Sequence, residues 1–422
     1  MEDFSSNFFK WVVHYETQTQ KMTLKMGAPM VMAGILCFIA ASISSAGGIG
    51  GGGLFIPILM ILAGLDLKTA SSFSAFMVTG GSTANFICNL FIRSAKFGGK
   101  GLIDYDIALL SEPCMLLGVS AGVICNRVFP EWLITILFVV FLAWSTFKTC
   151  RNGILLWKFE SEQVIRNGIE EVENYVVRDG DRSEVEVPLL GMKRSNTLGF
   201  PWMKVCILVM VWLAFFALYL LRGSRNGQAC GGEYWILSSL QIPLAIVFTA
   251  WILWIMRRKE SNQHQTPKQQ DTEDLTSCEP PSRLIFPIMA LMAGLLGGVF
   301  GIGGGMLISP FLLQVGIPPE VTAATCSFMV FFSSTMSAFQ YLFLGMEHTD
   351  TALIFSVICF VASLIGLMVV QGAIQTYGRA SLIVFSVGLV MALSTILISS
   401  FGALDVWHDY ESGNYMGFKS AC

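Results

Sequence analysis

Apolar stretches close to twenty residues long follow one another along almost the whole chain. They fall at 29–46, 54–64, 69–90, 107–126, 131–149, 202–221, 236–256, 284–300, 306–315, 321–344, 351–374 and 380–400. A helix of about 20 apolar residues crosses the hydrocarbon core of a bilayer. Lipid offers no partner to backbone N–H and C=O groups, so repeated spans of this kind fold as helices that satisfy their own backbones. Only 13% of the 422 residues are charged, against roughly a quarter in soluble domains. The expected fold is therefore an all-α polytopic membrane protein. Two segments break the rule, because 54–64 and 306–315 are too short to cross.

Each short segment follows a glycine cluster. Six of the eight residues from Ala46 to Gly53 are glycine, and each costs a helix about 1 kcal/mol relative to alanine. "GIGGGGLFIPILMILAG" (Gly48 to Gly64) recurs as "GIGGGMLISPFLLQVG" (Gly301 to Gly316). The match continues into the next span, where Thr69, Ser72, Ser74 and Ser82 fall opposite Thr322, Thr325, Ser327 and Thr335. Two halves are thus expected, each with a broken helix, a short half-helix and a hydroxyl-rich span.

Paired interrupted spans in the two halves of a membrane protein point to a transporter's binding site. Irregular backbone at membrane depth survives only where protein buries it or a watery cavity adjoins it. A half-helix starts with unpaired N–H groups and the positive end of its dipole, which attract an anion without a buried Lys or Arg. The expected anion-binding residues are Gly50, Gly51, Gly52 and Gly53 with Ser72 and Ser74, and Gly303, Gly304 and Gly305 with Thr325 and Ser327. Small residues also let helices pack closely, and serine and threonine also bond their own preceding turn. Both alternatives stand beside the binding reading.

Glu112 lies within the 107–126 span. A carboxylate there is expensive and is a functional candidate by default. Burial disfavours the charged form, so Glu112 is the candidate for proton coupling. Asp104 and Asp106, at the start of the same span, read as helix N-terminal charges.

Two stretches are too polar for lipid: 150–201, with seven Lys and Arg, and 257–283, with five. Both are expected as poorly ordered loops on one side, which the positive-inside rule makes cytoplasmic. The chain then divides into an N-terminal segment 1–28, a first repeat 29–149, loop 150–201, a linking helix pair 202–256, loop 257–283, a second repeat 284–400 and a tail 401–422. If each glycine break forms a hairpin that enters and leaves on one side, the halves are inverted and both termini lie outside the cytoplasm. If each broken segment crosses once, both termini are cytoplasmic. Inverted repeats are the favoured expectation.

Eleven cysteines lie mostly alone in apolar segments, with no CxxC pair, and read as small buried hydrophobes. No metal, cofactor or nucleic-acid signal occurs, and HExxH is absent. No cleavable signal peptide is evident at the N-terminus.

The paired glycine motifs are joined by "LIDYDIALLSEPCMLLGVSAGVICN" (Leu102 to Asn126), "GIPPEVTAATCSFMVFFSSTMSAFQYLFLG" (Gly316 to Gly345), "GRASLIVF" (Gly378 to Phe385) and the tail "YMGFKSAC". Together they resemble the plant branch of the TauE/SafE sulfite exporter family. The resemblance covers the chain from about residue 29, apart from the two polar loops. It implies two related membrane halves and transport of sulfite, organosulfonates or similar small anions, driven by a proton or another ion gradient. The expected partners are a small anionic substrate, a co-transported proton and the bilayer. An anion channel, or a receptor or scaffold without transport, is the alternative.

Overall fold

The computed structural model describes residues 28–45, 47–91, 101–178, 202–224, 232–263, 284–346, 348–377 and 381–411, with 379 and 417. Residues before 28, residues 92–100, and parts of the two polar stretches (179–201 and 264–283) and of the tail (412–422 apart from 417) lie outside the described residues. The rest is helical: α1 Ala28–Ser45, α2 Gly52–Ala63, α3 Leu67–Phe91, α4 Tyr105–Val128, α5 Glu131–Arg178, α6 Trp202–Ser224, α7 Gly232–Gln263, α8 Ile285–Phe300, α9 Gly305–Gln314, α10 Pro319–Phe343, α11 Thr349–Tyr377 and α12 Ser381–Glu411. Eight of these are long and apolar enough to cross a membrane. The chain is an all-α, multi-pass integral membrane protein.

The two short apolar segments are the helices α2 and α9. Local sequence explains where several helices start. Asp104 caps α4, its carboxylate accepting from the amides of Asp106 and Ile107, as a short acidic side chain does at an N-terminus. Pro319 occupies the first position of α10, where a missing N–H costs nothing. The breaks before α2 and α9 are built from left-handed glycines in matching places: Gly48, Gly50 and Gly51 have φ of 67, 72 and 78°, and Gly301, Gly303 and Gly304 have φ of 65, 70 and 72°. Side-chain-bearing residues pay about 1–2 kcal/mol each in that conformation.

The two polar stretches are more helical than their composition suggests. The helix α5 runs on through residues 150–178, and α7 continues to Gln263. Glu, Gln, Arg and Leu in "LLWKFESEQVIRNGIEEVEN" are good helix formers, and propensity alone carries a helix on past the apolar boundary. This extension has a definite neighbour. The Glu160 carboxylate accepts from the Ser381 amide and hydroxyl at the start of α12, and the Arg379 guanidinium lies 3.9 Å over the Trp157 ring.

The halves pair element for element. The helix α4 packs on α8 as α11 packs on α1, and α3 packs on α11 as α4 packs on α10. Contacts give the directions. Along α4 and α8, Met115 meets Gly294, Val119 meets Gly298, and Asn126 donates to Val299 O at 2.6 Å, so the two run parallel. Along α1 and α11, Gly34 meets Phe355 and Ser42 donates to Ala362 O, again parallel. The two pairs that join equivalent helices run antiparallel. In α5 and α12, Thr135 meets Gly402, Thr146 lies 3.4 Å from Thr395, and Glu160 meets Ser381. In α3 and α10, Ser82 lies 3.3 Å from Ser334, and Phe86 stacks against Phe331 and lies close to Phe328.

Close approach between α4 and α8 needs glycine on both sides. A Cβ on Gly118 or Gly122 would stand 2.3 or 2.1 Å from a carbonyl oxygen of α8, and one on Gly294 2.2 Å from Met115 O. This is the small-residue packing of membrane helices. The helices α6 and α7 lie at the margin, against α4, with Val211, Phe215 and Ala245 inward and Ile236, Ile246 and Val247 exposed.

Candidate functional site: two facing glycine breaks

Residues 47–59 and 299–310 are all buried, and the two breaks meet. A Cβ on Gly52 would lie 2.8 Å from Ile302 Cα, one on Gly53 2.3 Å from Met306 Cε, and one on Gly305 2.0 Å from Val330 Cγ2 and 3.5 Å from Gly48 O. Val78 of α3 and Val330 of α10 flank both breaks: each is within 4 Å of the Cβ positions of Gly50 and Gly303. The first turns of α2 and α9 therefore start from one buried place, between the antiparallel helices α3 and α10.

Neither half-helix has its amide end capped by a side chain. The N-cap residues are Gly51 and Gly304, without a side-chain cap bond, and neither first turn holds an acidic residue. Gly51 O accepts from the Leu54 and Phe55 amides, and Gly304 O from those of Leu307 and Ile308. The amides of Gly52, Gly53, Gly305 and Met306 donate to no acceptor among the described residues. Prolines add to the polarity of these turns. Pro57 and Pro310 stand at matching places inside α2 and α9, and each leaves the carbonyl four residues back, of Gly53 or Met306, without its helical donor.

The hydroxyls expected around the glycines are placed unevenly. Ser74 donates to Gly52 O at 3.4 Å, which puts it at the first break. Ser327 sits beside Gly48, its Oγ 2.7 Å from the position of a Cβ there, and donates to Ala323 O. Ser72 turns back to Thr69 O, and Thr325 accepts the Asp104 amide at the start of α4. These last two serve helix geometry rather than the breaks. Other hydroxyls take their place: Ser333 donates to Gly303 O at 2.7 Å, and Ser394 Oγ lies 3.0 Å from a Cβ position on Gly53, while the Cβ of Ser334 lies 3.1 Å from one on Gly303. The sequence signal for Ser333 was that the hydroxyl match between halves runs on to Ser82 and Thr335, about two turns beyond Ser74 and Ser327.

Glu112 is fully buried in α4, and both carboxyl oxygens lack a hydrogen-bond partner among the described residues. The Asp106–Lys204 ion pair, at 2.6 Å, closes the same end of α4 nearer the surface. Burial raises the Asp104 carboxyl above its usual value, opposed by the bonds from the Ile107 and Asp106 amides. No group of three or more His, Cys, Asp or Glu side chains able to hold a metal occurs among the described residues.

A family model described as sulfite exporter TauE/SafE matches residues 8–149 and 190–395. Among curated proteins, the chain is 60% identical over 423 residues to the sulfite exporter TauE/SafE family protein 2 of Arabidopsis thaliana, covering 97% of this chain and 91% of that one. It is 61% identical to family protein 5 of the same plant, over 94% of this chain and 89% of the relative. A shorter likeness, 40% over 58 residues, covers 14% of this chain and 21% of the probable membrane transporter protein YunE of Bacillus subtilis strain 168. No solved structure matches. With matches that span both glycine breaks and nearly the whole chain, this protein belongs to the TauE/SafE sulfite exporter family.

Proposed function

We propose that this chain is a secondary transporter of small anions, with sulfite or a related sulfur oxyanion as its cargo. The anion is held between the amide ends of α2 and α9 near the bilayer midplane. One observation carries the reading: two uncapped half-helix N-termini, one from each half, start from the same buried place with their first amides unused. Each end offers N–H donors and about half a positive elementary charge. Buried donors without partners cost about 1–3 kcal/mol each, and a bound oxyanion removes that cost. Ser74 and Ser333 steady the carbonyls of Gly52 and Gly303, and Glu112 takes part in coupling to a proton. The sulfur oxyanion class rests on the names of the relatives. The chain acts as a carrier rather than an enzyme.

The halves are read as inverted repeats. A two-fold operation that exchanges the halves maps α5 onto α12 and α3 onto α10. Because each of those pairs runs antiparallel, the axis lies across the helices, in the membrane plane, as alternating access favours. The α1–α2 and α8–α9 hairpins then enter from opposite faces and meet in the middle, and both termini lie outside the cytoplasm. A C-terminal tag is expected to react with an impermeant reagent on intact cells; reaction only after permeabilisation contradicts the inverted reading.

Flux tests the function. Purified protein in vesicles is expected to exchange labelled sulfite across the membrane, with sulfate and an organosulfonate as competing substrates. Saturable exchange at carrier-like turnover supports transport by alternating access. Large unitary currents would instead indicate a channel, and absence of any anion flux would favour a receptor or scaffold.

A further inference from the structure

The halves are alike in backbone but not in the polarity of one seam. In the second half, Ser333, Ser337 and Gln340 follow at helical spacing along one stripe of α10, all buried. Ser333 donates to Gly303 O and Gln340 Nε2 donates to Ser120 Oγ of α4 at 2.9 Å. The helices run parallel here: Asp104 meets Thr325 and Ser120 meets Gln340, which puts Glu112 level with Ser333. Pseudo-symmetry gives the same neighbour. Gly48 corresponds to Gly301 by motif, and Gly122 to Gly366, because Gly122 and Gly366 press on the corresponding carbonyls of Leu295 and Ser42. In that register Ser333 corresponds to Gly80 and Glu112 to Ser356. Gly80 and Ser356 touch: a Cβ on Gly80 would stand 2.7 Å from Ser356 Oγ.

Carried through, the register places Gly80, Ala84 and Ile87 opposite Ser333, Ser337 and Gln340, and Ser356 and Leu364 opposite Glu112 and Ser120. A Cβ on Gly80 would stand 2.1 Å from Ser356 O, whereas the corresponding Ser333 carries one, so α3 and α11 approach more closely than α10 and α4. At the matched positions Ser356 is the one polar side chain, while other buried polar residues of α3 and α11 include Asn85 and Ser363. The polar groups of α4–α10 are therefore not repeated at the matched positions of α3–α11. Several of them are also unsatisfied: Ser111 Oγ, both Glu112 oxygens, Ser337 Oγ and Gln340 Oε1 are buried without a partner among the described residues. Polar groups left this way are expensive. By contrast, Ser45 in the first half bonds both Asn85 and Ser363.

We infer that the α4–α10 seam is a proton-binding site present in one half only, with Glu112 as the group that takes the proton and Ser337, one turn along α10 from the level of Glu112, as the acceptor for it. This rests on the transport reading and adds where the proton goes. Ser333 links the site to α9, because it is level with Glu112 and holds the carbonyl of Gly303, one residue before the α9 N-cap. Proton uptake at Glu112 and release to the opposite side leave the protein unchanged over a cycle. No charged group faces the site: α8 carries no ionisable side chain. On the other helices packed against α4, the charged residues sit near the ends of the sequence range: Glu320 on α10, Lys204 and Arg222 on α6, and Glu233, Arg257, Arg258, Lys259 and Glu260 on α7. Asp106 is six residues away on α4 itself, about 9 Å along the axis. The remaining titratable groups on these helices are Arg127 at the far end of α4, Cys114, Cys125, Cys206, Cys326, Tyr105, Tyr219, Tyr234 and Tyr341, of which Tyr341 is committed to Gly298 O.

Infrared difference spectra of the full chain in lipid, taken between low and high pH, read the proton directly. The expected result is a carboxyl C=O band that is lost in Glu112→Gln and shifted in Ser337→Ala. Ser356→Ala, in the corresponding seam, leaves it in place. In vesicles, Glu112→Gln is expected to lower sulfite accumulation driven by a pH gradient at least tenfold, and Ser356→Ala to leave it unchanged. The inference is overturned if Glu112→Gln keeps the band, if Ser356→Ala moves it as Ser337→Ala does, or if Glu112→Gln still accumulates sulfite on a pH gradient. The band without any anion flux would overturn the transport reading alone, since proton binding would then stand by itself.

Discussion

Gly301→Ala is expected to yield no folded protein, and Gly48→Ala the same. At Gly301 an alanine Cβ would stand 1.9 Å from the Ser71 carbonyl oxygen of α3, and at Gly48 one would stand 2.0 Å from the Ala323 carbonyl oxygen of α10. The obstacle is backbone inside a buried helix, so no rotamer change relieves it. Both residues also hold positive φ, at 65° and 67°, which alone costs about 1–2 kcal/mol once a Cβ is present. Gly64 and Gly316 are the internal controls. They too have positive φ, but nothing lies within 4 Å of a Cβ there, so alanine costs only the conformational term. Monodisperse yield after purification, with melting temperature, checks the comparison. Equal yields for Gly301→Ala and Gly316→Ala would contradict the close contact between the break and α3.

Gly53→Ala is expected to separate folding from function. This residue is helical rather than left-handed. The atoms that would meet its Cβ are the ends of flexible side chains, Met306 Cε at 2.3 Å and Sδ at 2.7 Å, with Ser394 Oγ at 3.0 Å. Methionine has three rotatable bonds and repacks readily, so the protein folds. The methyl group, with the displaced thioether, then occupies space between the two amide ends. Sulfite exchange is expected to fall at least about tenfold, equivalent to about 1.4 kcal/mol of lost binding or transition-state stabilisation. Normal melting with normal flux would mean that the anion passes elsewhere.

The break positions were legible in the sequence because glycine there is compelled twice, by left-handed backbone and by contact with another helix. The repeat multiplied that signal, since chance does not place two such clusters before two prolines at one spacing. Serines and threonines were not legible in the same way. Ser72 and Thr325 lie at helical spacing near the breaks, yet one hydroxyl closes its own turn and the other serves the start of α4. Ser333 reaches Gly303 from deeper in α10. Helical periodicity says which residues share a face, but not which element that face meets. Pairing between the halves was illegible for the same reason: a linear match of two motifs is identical for parallel and inverted repeats. The inverted reading draws instead on contacts such as Thr146 with Thr395. The reach of α5 into the polar stretch was missed because charge marks an exit from lipid, whereas helix propensity, with the anchor from Glu160 to Ser381, continues past it.

The account rests on amide groups of two half-helices gripping one anion, and nuclear magnetic resonance of glycine-labelled protein in lipid reads those amides directly. Titration with sulfite is expected to shift Gly52, Gly53 and Gly305 together, along one saturation curve, while Gly64 and Gly316 at the far ends of the half-helices stay still. Saturable sulfite binding that leaves all three unmoved, or that moves the glycines of only one break, would contradict it.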